Sequence, residues 1–349
     1  MSEKNNYISQ LTFPRFIAAM VVVLHHYCNK FFPFNTSYLS NFIDQGGIAV
    51  SFFFFLSGVV LSVSYWDKGV SSAKDFWLKR FARIYPVYFL GFIMVVGFSL
   101  IGGSPIDFVS AVYQALVLHA WNPSYTLDIN YPSWSISVEM LFYFSFPFLI
   151  GYFKKRSISH LVGVTAVLYI LGIVQYLYMK EWHQLFRDGF PVWHLNTFVF
   201  GILGGVLIVN LRSKNLNYKI DPLWWWVAGS LAIYFILNTR NVIQDNCHNG
   251  TLSPIFLLIC VGLALDKSVV SKWLSAKPLV YLGNASYAMY ILQFPALMLF
   301  VKLMGVKEIS SSNYLLYLGF LIIVSCLTYT IYEKKGRDII LKITSKKKS

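Results

Sequence analysis

Apolar runs broken by short polar stretches recur from one end of the chain to the other. A hydrocarbon layer about 30 Å thick takes roughly 20 residues of helix to cross. Ten runs approach or reach that length: residues 8–29, 46–66, 82–103, 134–153, 158–179, 190–211, 222–240, 252–266, 279–303 and 313–333. The run 252–266 is short, and 158–179 begins close behind its predecessor. Backbone polar groups in lipid need partners within their own segment, so such runs form helices. The pattern predicts an all-α polytopic membrane protein with about ten transmembrane helices. They form one membrane-embedded domain over residues 8–335, and a basic tail follows at 336–349. The longest break, 104–133, contains DFVSAVYQALVLHAW (107–121), which has the pattern of an amphipathic helix at the interface or tucked into a vestibule. Asn122, Pro123, Asn130 and Pro132 then interrupt the chain. No internal repeat relates one half of the chain to the other.

Composition agrees. Of 349 residues, 56% are hydrophobic and 13% charged, with mean hydropathy +0.57, whereas soluble domains carry about 25% charge. The net charge of +14 does not imply nucleic acid, because Lys and Arg gather in the cytoplasmic loops of membrane proteins. Of the 29 basic residues, only Lys30, Lys180, Arg187, Arg240, Lys302 and Lys307 fall in one alternating set of loops and helix ends. That asymmetry predicts both termini on the cytoplasmic side of the cell (inner) membrane. The start, MSEKNNY, lacks the basic region of a cleavable signal. Cys28, Cys247, Cys260 and Cys326 have no metal-ligand spacing, so no metal is expected. Cys28 and Cys247 both fall at the outer face, where a disulfide is the minor alternative to two free thiols.

Against this background the ionisable residues inside the runs stand out, because charge in a span is costly and faces partners or a cavity. Arg15 and His26 are 11 residues apart, about three helical turns. They share one face, roughly 16 Å apart along the axis. Glu139 is the one acidic residue well inside a run, at a depth similar to that of His26. Together they make either a base oriented by an acid or a structural bond between helices. Arg80 and Arg83 are helix neighbours at i, i+3, where a basic loop enters the third run. They can grip phosphate, or serve topology and lipid head groups. Gly46, Gly47, Ser51, Ser57 and Gly58 suit close helix packing; nothing in the sequence identifies a base beside Ser57. Trp121, Tyr125, Tyr131 and Trp134 form either an interfacial belt or a sugar-stacking surface.

These residues carry a resemblance to the acyltransferase 3 family of integral-membrane acyltransferases. Arg15 and His26 match its Arg-x10-His pattern. GIAVSFFFFLSG (47–58) is similar to its second motif, with Ser51 where Asp is common. RFARIYP (80–86) matches the RxxR element, WSISVEMLFY (134–143) the fourth motif, and NASYAMYILQFP (284–295) the last, with Gln293 where His is usual. The resemblance implies transfer of an acyl group, usually acetyl from acetyl-CoA, to a hydroxyl of an extracytoplasmic glycan or lipid-linked sugar. His26 would be the essential histidine and Arg15 its companion; Arg80 and Arg83 would meet the donor's phosphates, and Glu139 belongs to the site. Gln293 is not read as catalytic. Some relatives carry an added SGNH hydrolase-like domain, which a chain ending at Ser349 is expected to lack. The competing expectation is a proton-coupled transporter that uses Arg15, His26 and Glu139 as a relay. A third is a structural membrane partner in polysaccharide assembly.

Overall fold

A computed structural model describes residues 7–179, 181–182, 184–214, 218–238 and 250–346. Lys180, Arg240 and Cys247, which entered the charge count or the disulfide alternative, lie outside the described residues. Among the described residues twelve α-helices are eight residues or longer: α1 (Phe13–Tyr27), α2 (Gly46–Tyr65), α3 (Ala73–Ile101), α4 (Phe108–Ala115), α5 (Trp134–Phe153), α6 (Ile158–Tyr178), α7 (Leu195–Ser213), α8 (Pro222–Asn238), α9 (Ser253–Leu265), α10 (Lys277–Met304), α11 (Tyr314–Leu327) and α12 (Lys334–Lys346). A π-helical segment, Thr328–Glu333, joins the last two. No strand is present among the described residues. Seven helical segments among them are long and apolar enough to cross a membrane, so this is an all-α polytopic membrane protein. The shorter helices α1, α8 and α9 occupy the remaining predicted runs, so each run is a helix.

Two boundaries differ from the sequence expectation. Helix α3 begins at Ala73, well before residue 82. The cause is local: the Ser72 hydroxyl accepts from the Asp75 amide and caps the helix. Arg80 and Arg83 therefore project from a continuous helix. In the other case, the helix expected over 107–121 ends at Ala115, because Val117 adopts φ +61, a conformation that a β-branched residue takes only under constraint. The Ser137 hydroxyl, 2.6 Å from the Val117 carbonyl, supplies one. This segment folds inward, and Ser110, Gln114 and His119 are buried.

Helices α2 and α7 pack backbone to backbone. A Cβ at Gly201 would lie 2.0 Å from the Phe55 carbonyl oxygen, and one at Gly58 would lie 2.3 Å from that of Phe198. Gly58 thus does what small residues in spans were expected to do. Gly201→Ala is expected to push the pair apart and lower thermal stability in detergent by about 1–3 kcal/mol, as overpacked cores do.

Two prolines shape the site from a distance. Proline has no N–H, so it leaves the carbonyl four residues earlier without a helical donor. Pro147 frees the Tyr143 carbonyl, and the Trp77 indole of α3 donates to it at 3.0 Å. Pro295 frees the Ile291 carbonyl, and the Asn130 amide donates to it at 3.1 Å. Each proline-containing helix is therefore clamped by a side chain from elsewhere. Trp77→Phe is expected to leave the Tyr143 carbonyl unsatisfied, at a cost of about 1–3 kcal/mol, measurable as a lower melting temperature.

Candidate active site

Helices α1, α2, α3, α5 and α10 surround a cavity with about 860 Å³ of empty space, the open solvent at its mouth included. Arg15, Arg80, Arg83 and Glu139 all line it, together with Ser57, Tyr143, Asn284, Tyr287 and Tyr290. Four of the five predicted site residues thus meet in one place. Spacing explains part of this: Arg80 and Arg83 are i, i+3 on α3, and Glu139 and Tyr143 are i, i+4 on α5. The Tyr143 hydroxyl donates to Glu139 Oε1 at 2.9 Å. The Ser57 hydroxyl donates to the same oxygen at 2.8 Å. Ser57 therefore does have a carboxylate beside it, supplied by a helix remote in sequence.

The charges do not cancel by contact. Neither Arg15, Arg80 nor Arg83 forms an ion pair with Glu139 within 4 Å. The side chains of Arg15 and Arg83 make no hydrogen bond among the described residues, and Arg80 Nε is buried without one. The Arg80 guanidinium lies over the Phe76 ring, 5.6 Å from its centroid. Three guanidinium groups with donors to spare, one carboxylate and an apolar wall that includes Phe53, Phe54 and Ile136 give the cavity groups that can hold a polyanion.

His26 lies elsewhere. It does not line the cavity. Its Nδ1 is 2.9 Å from Gln293 Oε1, and its ring meets Tyr131 edge-on at 5.1 Å. The Tyr131 hydroxyl donates to that of Tyr27 at 2.6 Å. The expected bond between His26 and Glu139 is not formed. Similar depth does not set direction: α10 meets α1 through Gln293 and α5 through Tyr290, whose hydroxyl accepts from Ser135 at 2.9 Å. Each member of the expected pair is satisfied by a different neighbour.

Arg15 and His26 do share a face, the one turned to α10. Arg15 lines the cavity with Gly283 and Asn284, and His26 meets Gln293. The ten residues from 283 to 293 span about 15 Å of helix. The two helices run in the same direction and nearly touch at one end, where a Cβ at Gly283 would lie 2.2 Å from the Thr12 carbonyl oxygen. Tyr287, Tyr290 and Gln293, at steps of three along α10, connect the two groups.

The buried segment that follows α4 braces this end. Gln114 Nε2 donates to the Ser133 hydroxyl at 2.6 Å, and Ser133 Oγ lies 3.3 Å from His119 Nε2. Burial pushes the His119 imidazole down to about 4 from 6.5, more than its hydrogen bond to Ser133 raises it. The folded state therefore holds His119 neutral. Its contribution is complete above pH 6.5 and is lost as pH falls towards 4, where the unfolded chain binds the extra proton. Lowering pH from 7 to 5 is expected to cost the wild type about 2 kcal/mol more than His119→Gln, read as the difference between their melting shifts.

Sequence reasoning named Gln293 and Ser57 without giving either a role, and gave none to the tyrosines of α10. Tyr143 was legible as the i+4 neighbour of Glu139; the others needed the packing. Among the described residues no group of His, Cys, Asp and Glu is placed to hold a metal.

The chain is 29% identical to the acyltransferase MdmB of Streptomyces mycarofaciens, over 85% of this chain and 81% of that protein. It is 24% identical to the peptidoglycan O-acetyltransferase OatA of Listeria monocytogenes, over 94% of this chain but only 55% of the relative. The chain therefore spans little more than half the length of OatA. No solved structure matches it. A family model described as an acyltransferase domain matches residues 8–332, nearly the whole chain, which therefore belongs to the acyltransferase 3 family.

Proposed function

We propose that the protein is a membrane O-acyltransferase that moves acetyl from cytosolic acetyl-CoA to a hydroxyl of an extracytoplasmic glycan or lipid-linked sugar. The observation that carries this reading is the single cavity lined by Arg15, Arg80 and Arg83. Coenzyme A presents a pyrophosphate and a further phosphate, and paired guanidinium groups grip such oxygens in bidentate fashion. Arg80 and Arg83 hold the phosphates. The pantetheine arm then runs along α10, past Arg15, Tyr287 and Tyr290, towards His26. The helical rise of about 16 Å between Arg15 and His26 suits an arm of that kind.

At the far end His26 takes the proton of the acceptor hydroxyl as that oxygen bonds to the acyl carbon. The carbon–sulfur bond breaks, and the leaving thiolate receives the proton from His26. Glu139 serves the donor cavity as its counter-charge. The excess of Lys and Arg on one set of loops supports cytoplasmic termini and an inner-membrane location, which put the cavity mouth on the donor's side. The likeness to OatA and MdmB supports acyl transfer, and that to OatA, a peptidoglycan O-acetyltransferase, supports a cell-wall glycan as the kind of acceptor. A proton relay through Arg15, His26 and Glu139 has less support, since His26 and Glu139 bond to different partners.

The test is kinetic. Purified protein in detergent, with no ion gradient, should transfer acetyl from acetyl-CoA to a glycan acceptor; a transporter should not. In that assay Arg80→Ala with Arg83→Ala should raise KM for acetyl-CoA roughly tenfold to a hundredfold, the loss of one or two charge-assisted contacts. An unchanged KM would remove these arginines from donor binding.

A further inference from the structure

We propose that Gln293 is a positioning residue for His26: its side-chain oxygen holds the imidazole in the tautomer protonated at Nδ1 and so presents Nε2 as the base. This rests on the reading of His26 as the group that takes the acceptor's proton.

The argument is one of donors and acceptors. A glutamine side chain can offer either function, so the residue type alone decides nothing. Here its surroundings decide. Gln293 is fully buried, at 0% exposure. Its Nε2 lies 2.8 Å from the Tyr290 carbonyl oxygen. A carbonyl only accepts, so the amide NH2 must be the end that faces it. The Gln293 oxygen is then the end that faces His26 Nδ1, at 2.9 Å. That oxygen also only accepts, so Nδ1 must carry the hydrogen. Turning the amide over would set oxygen against oxygen at Tyr290. A neutral imidazole with its proton on Nδ1 has its lone pair on Nε2, and Nε2 has no hydrogen-bond partner among the described residues. The support is rigid: the Tyr317 hydroxyl donates to the Gln293 carbonyl at 2.8 Å, and Asn130 clamps Ile291 one half-turn away.

An amide differs from a carboxylate in what it does to basicity. Both accept from Nδ1, but a carboxylate also favours a positive ring. The other titratable groups around His26 are His25 on its own helix, with ring centroids 5.3 Å apart, Tyr27 and Tyr131, with Tyr317 behind Gln293. No acidic side chain, Lys or Arg is hydrogen-bonded to the ring. Gln293 thus orients the base without charging it, which lets the ring pass its proton on to the departing thiolate.

The experiment uses the full chain in detergent with acetyl-CoA and a glycan acceptor, and records kcat, KM and the pH profile of kcat for three variants. His26→Ala tests the underlying reading. Gln293→Leu removes the acceptor at similar volume; kcat should fall about tenfold to a hundredfold with KM for acetyl-CoA within twofold. Gln293→Glu keeps an acceptor and adds charge; its acid limb should move up by about one pH unit or more. If Gln293→Leu does not fold, the Gln293→Glu profile decides alone. An inactive His26→Ala beside a Gln293→Glu profile identical to wild type would overturn the role of Gln293 and leave His26 in place. An active His26→Ala would remove the reading of His26 itself, and this inference with it.

Discussion

His26→Ala is expected to lower acetyl transfer about a thousandfold, within the range lost with a general base, while the protein stays folded and still binds coenzyme A. The two halves of that expectation come from the separation of His26 from the cavity. His26 makes one side-chain hydrogen bond, to Gln293. Its removal leaves one buried oxygen without a donor, a loss of about 1–3 kcal/mol that a multi-helix protein can survive. The three arginines that line the cavity are untouched. Melting the variant with and without coenzyme A should therefore give a ligand-induced shift close to that of wild type, while transfer is lost. A variant that keeps its activity would take His26 out of the mechanism. One that loses the ligand shift as well would mean that His26 supplies part of the donor's affinity and not the base alone.

The long elements were legible because a span must be apolar along its length, and that demand is written into consecutive residues. All ten predicted runs are helices for this reason. What the sequence conceals is direction. Glu139 and His26 lie at similar depth in their helices, yet one turns to Ser57 and the other to Gln293. Depth follows from counting residues; direction follows from which neighbours surround each helix. The start of α3 was hidden differently. Its first turns, AKDFWLKR, carry the charges that a hydropathy window rejects, although the Ser72 cap with Asp75 three residues on was there to be read. Pro147 and Pro295 announce kinks in α5 and α10, but nothing local shows that Trp77 and Asn130 fill the carbonyls they expose. Gln293 was passed over as a residue that cannot titrate. Its importance lies in accepting one hydrogen bond, a property visible only once Tyr290 and His26 stand on either side of it.

Helix α10 links these observations. It nearly touches α1 at Gly283, lines the cavity with Asn284, Tyr287 and Tyr290, and reaches Gln293 beside His26. The Tyr287 hydroxyl also donates to the Ile84 carbonyl of α3 at 2.8 Å, one turn from Arg80 and next to Arg83. A small rotation of α10 would therefore change the cavity wall and the orientation of His26 together. Both helices that carry charged cavity residues through a proline kink, α3 and α5, are tied to each other at Trp77 and Tyr143, which leaves α10 braced against a clamped pair.

Glu139→Ala should lower the stability of the empty protein by about 2–4 kcal/mol, and coenzyme A should restore more of it than the same ligand adds to wild type. Two costs contribute. The Ser57 and Tyr143 hydroxyls lose their shared acceptor, and three guanidinium groups are left in a cavity whose one carboxylate is gone. A polyanionic ligand supplies the missing negative charge. Ligand stabilisation grows with affinity as RT ln(1 + [L]/Kd), so a cavity made more cationic should show the larger shift at a given concentration. Glu139→Gln separates the costs: the amide oxygen can still accept a hydroxyl, so its loss should be smaller, but its gain with coenzyme A should match that of the alanine variant. Melting curves over a coenzyme A titration decide the matter. If Glu139 acts on His26 instead, both variants should alter the pH profile of transfer and leave the ligand-induced shift at its wild-type size.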